Sequence, residues 1–318
     1  MKINDHSDKT VDIFLYNFLK NNKKDQLYSL GFILLFFFFA FLFTFLHAIW
    51  KLQIRNQGLF FALWTIVTHE ITFITINLIM IVLYSRKPKI MDQFQVITDD
   101  YNWNINTFSY STILSVLPRI LLNHCITFPI VFLPFVSYNI CPFSVSKESF
   151  PNPIKAILNI IFFIFICELW YYWMNRLVHS YPNILNFLQR DRRNLQEEEY
   201  SFYSDAQHPI YYLIFYIIPI NLGPFLLGER THLSTYLVWI SYIVIFRNEI
   251  YSGYNFPWSI VTIIPYTANT EYHVYNRKYG DGNFGFFFAI FDAVCGTMSK
   301  EYKQFLSKQY KFSLNKQN

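Results

Sequence analysis

The chain has 318 residues, 53% of them hydrophobic and only 15% charged, which excludes an ordinary soluble surface. Phe (36) and Tyr (24) supply bulky apolar mass, and a net charge of +5 without an aromatic-basic stripe gives no sign of a nucleic-acid partner. The four cysteines, Cys125, Cys141, Cys167 and Cys295, form no CxxC pair and read as packing residues rather than disulfides or a zinc site.

Residues 1–27 read as a mixed-charge cytosolic tail, and no secretory signal peptide is expected because the first apolar run begins only near residue 28. A bilayer core of ~30 Å needs about 20 apolar residues in a helix. Residues 28–50 meet that length. Residues 58–84 also meet it, with His69 and Glu70 at mid-depth. Residues 111–136 carry Arg119, His124 and three prolines, so a kinked helix packed among others is expected. Segment 154–174 is apolar up to Glu168, and 209–227 and 233–247 form a short hairpin joined by "GERTH". The expected fold is an all-α membrane bundle of about six segments with a cytosolic helical cap, making one membrane domain over 28–318. Counted on six crossings, 20 Lys and Arg fall on one face and four on the other. The positive-inside rule therefore places both termini in the cytosol. His69, Glu70 and His124 are intramembrane polar groups, which usually face a bundle interior.

Loops 175–208 and 248–283 flank the last hairpin and emerge on one face. They bring together His179, His208 and His273, with Glu168 and Glu249 at adjoining helix ends. His208, just before Pro209, reads as a helix entrance. The "EEE" run at 197–199 reads as a solvated loop.

The stretch "EIYSGYNFPWS" at 249–259 matches E-x-H-S-G-Y-N-F-P-W-S, with Tyr251 in the histidine place. "YWMNRLVHSYP" matches Y-W-x-H-R-L-L-H-x-x-P, with Asn175 at the first histidine and His179 at the second. "YHVYNRKYGDGNFGFFFAIFDAVCGT" matches H-x-x-H-H followed by N-F-G, an aspartate and G-T. His273, Asn283, Gly285, Asp292, Gly296 and Thr297 fit it, and Asn276 and Arg277 replace the histidine pair. The box F-H-K-x-H-H survives as "FLQRDR", with Leu188, Asp191 and Arg192 in the histidine positions. Over roughly 165–300 the chain thus resembles the fatty acid hydroxylase superfamily, and within it the C-4 methylsterol oxidases and cholesterol 25-hydroxylases.

The resemblance implies a non-haem di-iron oxygenase of the endoplasmic reticulum acting on a sterol or acyl chain. Two irons need many neutral imidazoles at fixed spacing. Of nine ligand-type positions only His179 and His273 remain histidine. Leu188 has no donor atom, and the guanidinium groups of Arg192 and Arg277 stay protonated and repel a cation. The leading expectation is a pseudoenzyme without a cofactor that binds a membrane lipid or scaffolds other membrane enzymes. The alternative is an active iron-dependent oxidoreductase with one iron on His179, His273 and Asp191, a 2-His-1-carboxylate set. Glu168, Asp191 and Glu249 are expected to pair with Arg192 and Arg277 where metal charge is lost. Tyr254, Phe256 and Trp258 are candidates for a lipid pocket or an interfacial aromatic belt.

Overall fold

A computed structural model describes residues 56–98, 101–102, 108–146, 149–193, 200–256, 259 and 267–315. Apart from a hairpin of two-residue strands, β1 (Ile97–Thr98) and β2 (Tyr101–Asn102), its regular structure is helical.

Helix α1 (Gln57–Arg86) starts where the Asn56 side chain accepts the Leu59 N–H at 2.7 Å. It ends at Lys87 in the left-handed conformation (φ 46°), whose N–H closes on Leu83 O. Its composition is inside-out. Val67, Ile71, Ile74, Leu78 and Val82 lie on the exposed face, spaced three to four residues apart, while Thr65, Thr68, His69 and Asn77 are buried. A helix bathed in lipid has no reason to hide its apolar stripe and every reason to hide its polar one.

Helix α2 (Tyr110–Leu122), a π-turn at Asn123–Thr127, α3 (Phe128–Ile130) and α4 (Leu133–Ser137) follow as one broken path. Pro118, Pro129 and Pro134 lie along it, as the expected kinking requires. Gly58 lets α1 meet this path closely, since a Cβ there would sit 1.8 Å from Phe135 O.

Helix α5 (Pro153–His179) is started by Asn152, which accepts the Lys155 N–H at 2.8 Å, with Pro153 in the first turn. The amphipathic α6 (Pro182–Arg193) follows it. Helix α7 (Pro209–Tyr212), a second π-turn (Leu213–Ile217) and α8 (Ile218–Leu227) run back against α5. His208 begins α7 by accepting the Ile210 N–H at 3.3 Å, the capping role its place before Pro209 suggests.

Among the described residues four helical stretches are long and apolar enough to cross a membrane: Gln57–Arg86, Tyr110–Ile130, Pro153–His179 and Pro209–Arg230. The expected crossing at 28–50 lies outside the described residues. The sixth expected crossing is α9 (Leu233–Ile250), which the bundle encloses. Leu233 to Leu237, Trp239, Ile240, Ile243, Val244 and Phe246 to Asn248 are all buried, and α9 packs along α1. A helix covered on all sides by protein need not look lipid-facing, so its polar end Arg247-Asn248-Glu249 is tolerated. Beyond α9, helices α10 (Thr270–Tyr279), α11 (Ile290–Cys295) and α12 (Lys300–Asn315) form a cap with its own small core around Tyr272, Tyr275, Met298 and Tyr302.

Candidate functional site

The end of α5 and helix α10 bring four of the nine histidine-box positions against the segment 280–286, each in contact with one of its backbone carbonyls. Asn175 donates through Nδ2 to Phe284 O at 3.2 Å. His179 contacts Gly280 O through Nδ1 at 2.7 Å, and His273 contacts Phe286 O through Nε2 at 2.9 Å. A carbonyl accepts only, so each of those ring nitrogens carries the proton and has no lone pair left for a metal. Asn276 donates to Gly282 O at 2.7 Å. Arg277 donates to Ile250 O at 2.9 Å and lies 4.5 Å over the ring of Tyr251. Leu188 is buried in an apolar cluster with Val178, Tyr211 and Phe215. The side chains of Asp191 and Arg192 lie outside the described residues. Among the described box residues the donors are two imidazoles with one nitrogen each already spent, two amides, a phenol, a leucine and a guanidinium, a set that does not fit a two-iron centre.

What the box region keeps is the machinery that shapes the 283–299 loop. Asp292, fully buried, accepts from Phe284 N (2.9 Å), Gly285 N (2.8 Å), Thr297 Oγ1 (2.7 Å) and the Tyr272 hydroxyl. Burial pushes its carboxyl up, and these donors only partly pull it back. Asn283 takes φ 61° and ties both sides: Nδ2 donates to Tyr272 O (3.1 Å) and Oδ1 accepts from Ser299 N (3.0 Å). Gly285 cannot carry a side chain, because a Cβ would sit 2.2 Å from Phe288 O. Gly296 ends α11 in the left-handed region (φ 70°).

Two groups of the expected site residues have defined contacts here. Glu168 serves as the anchor of this loop, accepting Phe286 N at 3.1 Å and Phe287 N at 2.6 Å, and it forms no ion pair with Arg277 among the described residues. Two adjacent backbone amides, Phe286 and Phe287, take the carboxylate in place of a guanidinium held on another helix. Glu249 likewise makes no ion pair with Arg277 among the described residues. Tyr254 and Phe256 are buried in the core, their rings 5.5 Å apart, with Tyr84 stacked 6.2 Å from Tyr254. Their loop is sewn to 94–96 by Asn255 N to Phe94 O (2.8 Å) and Val96 N to Gly253 O (2.9 Å). Trp258 lies outside the described residues.

A second polar centre sits inside the bundle, between α1, the first π-turn, the turn Ser201–Ser204 and α9. Glu70 receives His69 Nδ1 at 3.0 Å on one oxygen and His124 Nδ1 at 2.8 Å on the other. His124 Nε2 lies 3.0 Å from Asp205 Oδ2, and Arg247 pairs with Asp205 Oδ1 at 2.9 Å. Arg247 also lies 3.8 Å over the ring of Tyr216 and donates to Ser204 O. Burial alone would raise the Asp205 carboxyl, but Arg247 first, then His124 and His69, hold it below its ordinary value. Sequence reasoning marked His69, Glu70 and His124 one by one. It missed Asp205 and Arg247, whose positions in a polar loop and at a helix end carry no sign that they turn inward.

The comparisons agree with the sequence motifs. Residues 160–297 match the family model described as fatty acid hydroxylase. A Dictyostelium discoideum protein named as a methylsterol monooxygenase is 24% identical over 258 residues, 79% of this chain and 88% of that one. The C-4 methylsterol oxidase of Schizosaccharomyces pombe is 27% identical over 164 residues, 50% of this chain and 53% of the relative. A very-long-chain aldehyde decarbonylase of Oryza sativa is 28% identical over 206 residues, 62% of this chain and 73% of that protein. No solved structure matches the chain. The matched region and the kept loop motif make residues 160–297 a fatty acid hydroxylase domain, set among helices long and apolar enough to cross a membrane.

Proposed function

We propose that the chain is a pseudoenzyme of the superfamily, one that keeps the sterol-oxidase frame, has lost the di-iron centre, and binds a sterol or acyl lipid or scaffolds other membrane enzymes. The observation that carries this reading is the set of hydrogen bonds by which Asn175, His179, His273 and Asn276 satisfy carbonyls of residues 280–286. Groups that once faced a metal now close the loop that lay beside it. Lipid as ligand rests on the relatives, which are named for methylsterols and long-chain aldehydes. The test is metal analysis of detergent-purified full-length protein. Iron at two per chain, lost in the His179→Asn/His273→Asn double variant, would overturn the reading.

One observation favours the competing reading of an active oxidoreductase with iron on His179, His273 and Asp191. His179 turns its Nδ1–H onto a carbonyl, the orientation in which metal-binding imidazoles are usually held. Iron at one per chain, removed by His179→Asn and accompanied by oxygen-dependent conversion of a sterol, would select that reading instead.

The setting proposed is the endoplasmic reticulum with both termini in the cytosol, on the 20-to-four segregation of basic residues. Tags at the two ends should both be reached by protease in sealed microsomes. Protection of either one would remove a crossing from the scheme.

A further inference from the structure

The geometry points to a mononuclear divalent-metal site built from His69, Glu70 and His124 inside the bundle, away from the histidine boxes. These three side chains each bring one ligand atom to within 4.8 Å of the others. The two Nδ1 to carboxylate separations, 3.0 and 2.8 Å, suit neighbouring ligands on one ion. Arms of ~2.0–2.2 Å at right to tetrahedral angles put adjacent donors ~2.8–3.6 Å apart. Two imidazoles and one carboxylate form a set that takes Fe(II), Zn(II) or Co(II).

The outer contacts have the arrangement such a site requires. His124 faces Asp205 with Nε2 and Glu70 with Nδ1, so an ion would take the place of the Nδ1 proton it directs at Glu70 while the Nε2 proton stays on Asp205. His69 is turned the same way. Its Nδ1 meets Glu70, and its Nε2 has no hydrogen-bond partner among the described residues, with Asp205 Oδ2 3.9 Å away. The His69 side chain is fully buried.

Charge argues in the same direction. Arg247 already balances Asp205. Glu70 is left as the carboxylate that needs a positive partner, in a helix that belongs to the membrane interior. Either an imidazolium proton or a divalent ion can supply it, and the distances suit both.

The experiment uses full-length protein in detergent, analysed for metal as purified and after titration with Co(II) and with Zn(II). Expected are about one ion per chain, a Co(II) visible absorption band, and a rise in thermal midpoint with Zn(II). His69→Asn and Glu70→Gln should each lower metal content at least tenfold, and His179→Asn/His273→Asn should leave it unchanged. Should the bundle variants fail to fold, X-ray absorption of the wild-type Co(II) protein needs no variant. Two imidazoles in the first shell with a carboxylate at ~2.0–2.2 Å support the site. Absence of saturable Co(II) binding, or of any Zn(II) stabilisation, would show a proton-bridged cluster only and overturn the proposal. Metal lost in the His179/His273 variant and kept in His69→Asn would overturn it too. That outcome would strike the pseudoenzyme reading as well, whereas loss confined to the bundle variants leaves that reading intact.

Discussion

Arg247→Ala should lower the thermal midpoint of the detergent-solubilised protein more than any other single change to the bundle centre. The substitution removes the cation from a pair in which Arg247 is 5% and Asp205 2% exposed. Deleting one partner of such a pair leaves a buried uncompensated charge and costs ~3–5 kcal/mol. Arg247 also donates to Ser204 O and covers the rings of Tyr216 and Tyr212, so packing is lost along with charge. The double variant Asp205→Leu/Arg247→Met should recover much of the loss, because no charge is then stranded. A normal melting curve for Arg247→Ala would refute this account of the centre. The pH dependence has a defined sign. Asp205 is held below its ordinary value, so its contribution is complete above the unfolded carboxylate range. It is lost only as pH falls through the depressed folded value. Asp205→Asn should remove that acid-side loss while lowering stability at neutral pH.

Asp292→Ala should free the 283–299 loop from the cap. Its carboxylate accepts two buried backbone N–H groups and two hydroxyls, and each orphaned donor costs about 1–3 kcal/mol. Gly285→Ala should act in the same direction by a different route, since the new Cβ meets a backbone oxygen at 2.2 Å that cannot swing aside. Val294, 80% exposed on the same short helix, gives the control, and Val294→Ala should be silent. Hydrogen exchange across 283–289 reads the effect directly. Unchanged protection in Asp292→Ala would mean that the loop is held by other contacts.

The bundle was legible because lipid imposes length and apolarity on each spanning helix, and the runs 58–84, 154–174 and 209–227 carry both. Helix α9 was legible as a helix and less so in its role. Its enclosure depends on neighbours that a hydropathy pattern does not contain. The loop motif was legible as family resemblance, but the reason for its residues was not. Asn283 and Gly296 fit because of positive φ, and Gly285 because of one close oxygen. Of the expected charge pairs, the one between Glu168 and Arg277 is not formed, for a similar reason. A sequence lists charges that could pair, and Glu168 found backbone amides in a loop more than a hundred residues away. The centre at Glu70 joins residues from four places in the chain, and its histidines drew notice only because apolar runs make polar residues conspicuous.

The two π-turns set a constraint on how this chain can change length. Each holds one residue more than the α-helical path needs, and one helical residue corresponds to ~100° of rotation. At Asn123–Thr127 the extra residue phases Asn123 and His124 inward while Leu114, Leu117 and Leu121 stay on the lipid side. At Leu213–Ile217 it does the same for Tyr212 and Tyr216 relative to α8. Dropping one residue from either turn would heal the helix and rotate everything beyond it by about a quarter turn, trading polar contacts for lipid. Length variation should therefore collect in connections such as 87–109. The two bulges should keep their count, as a pair of gears keeps its teeth.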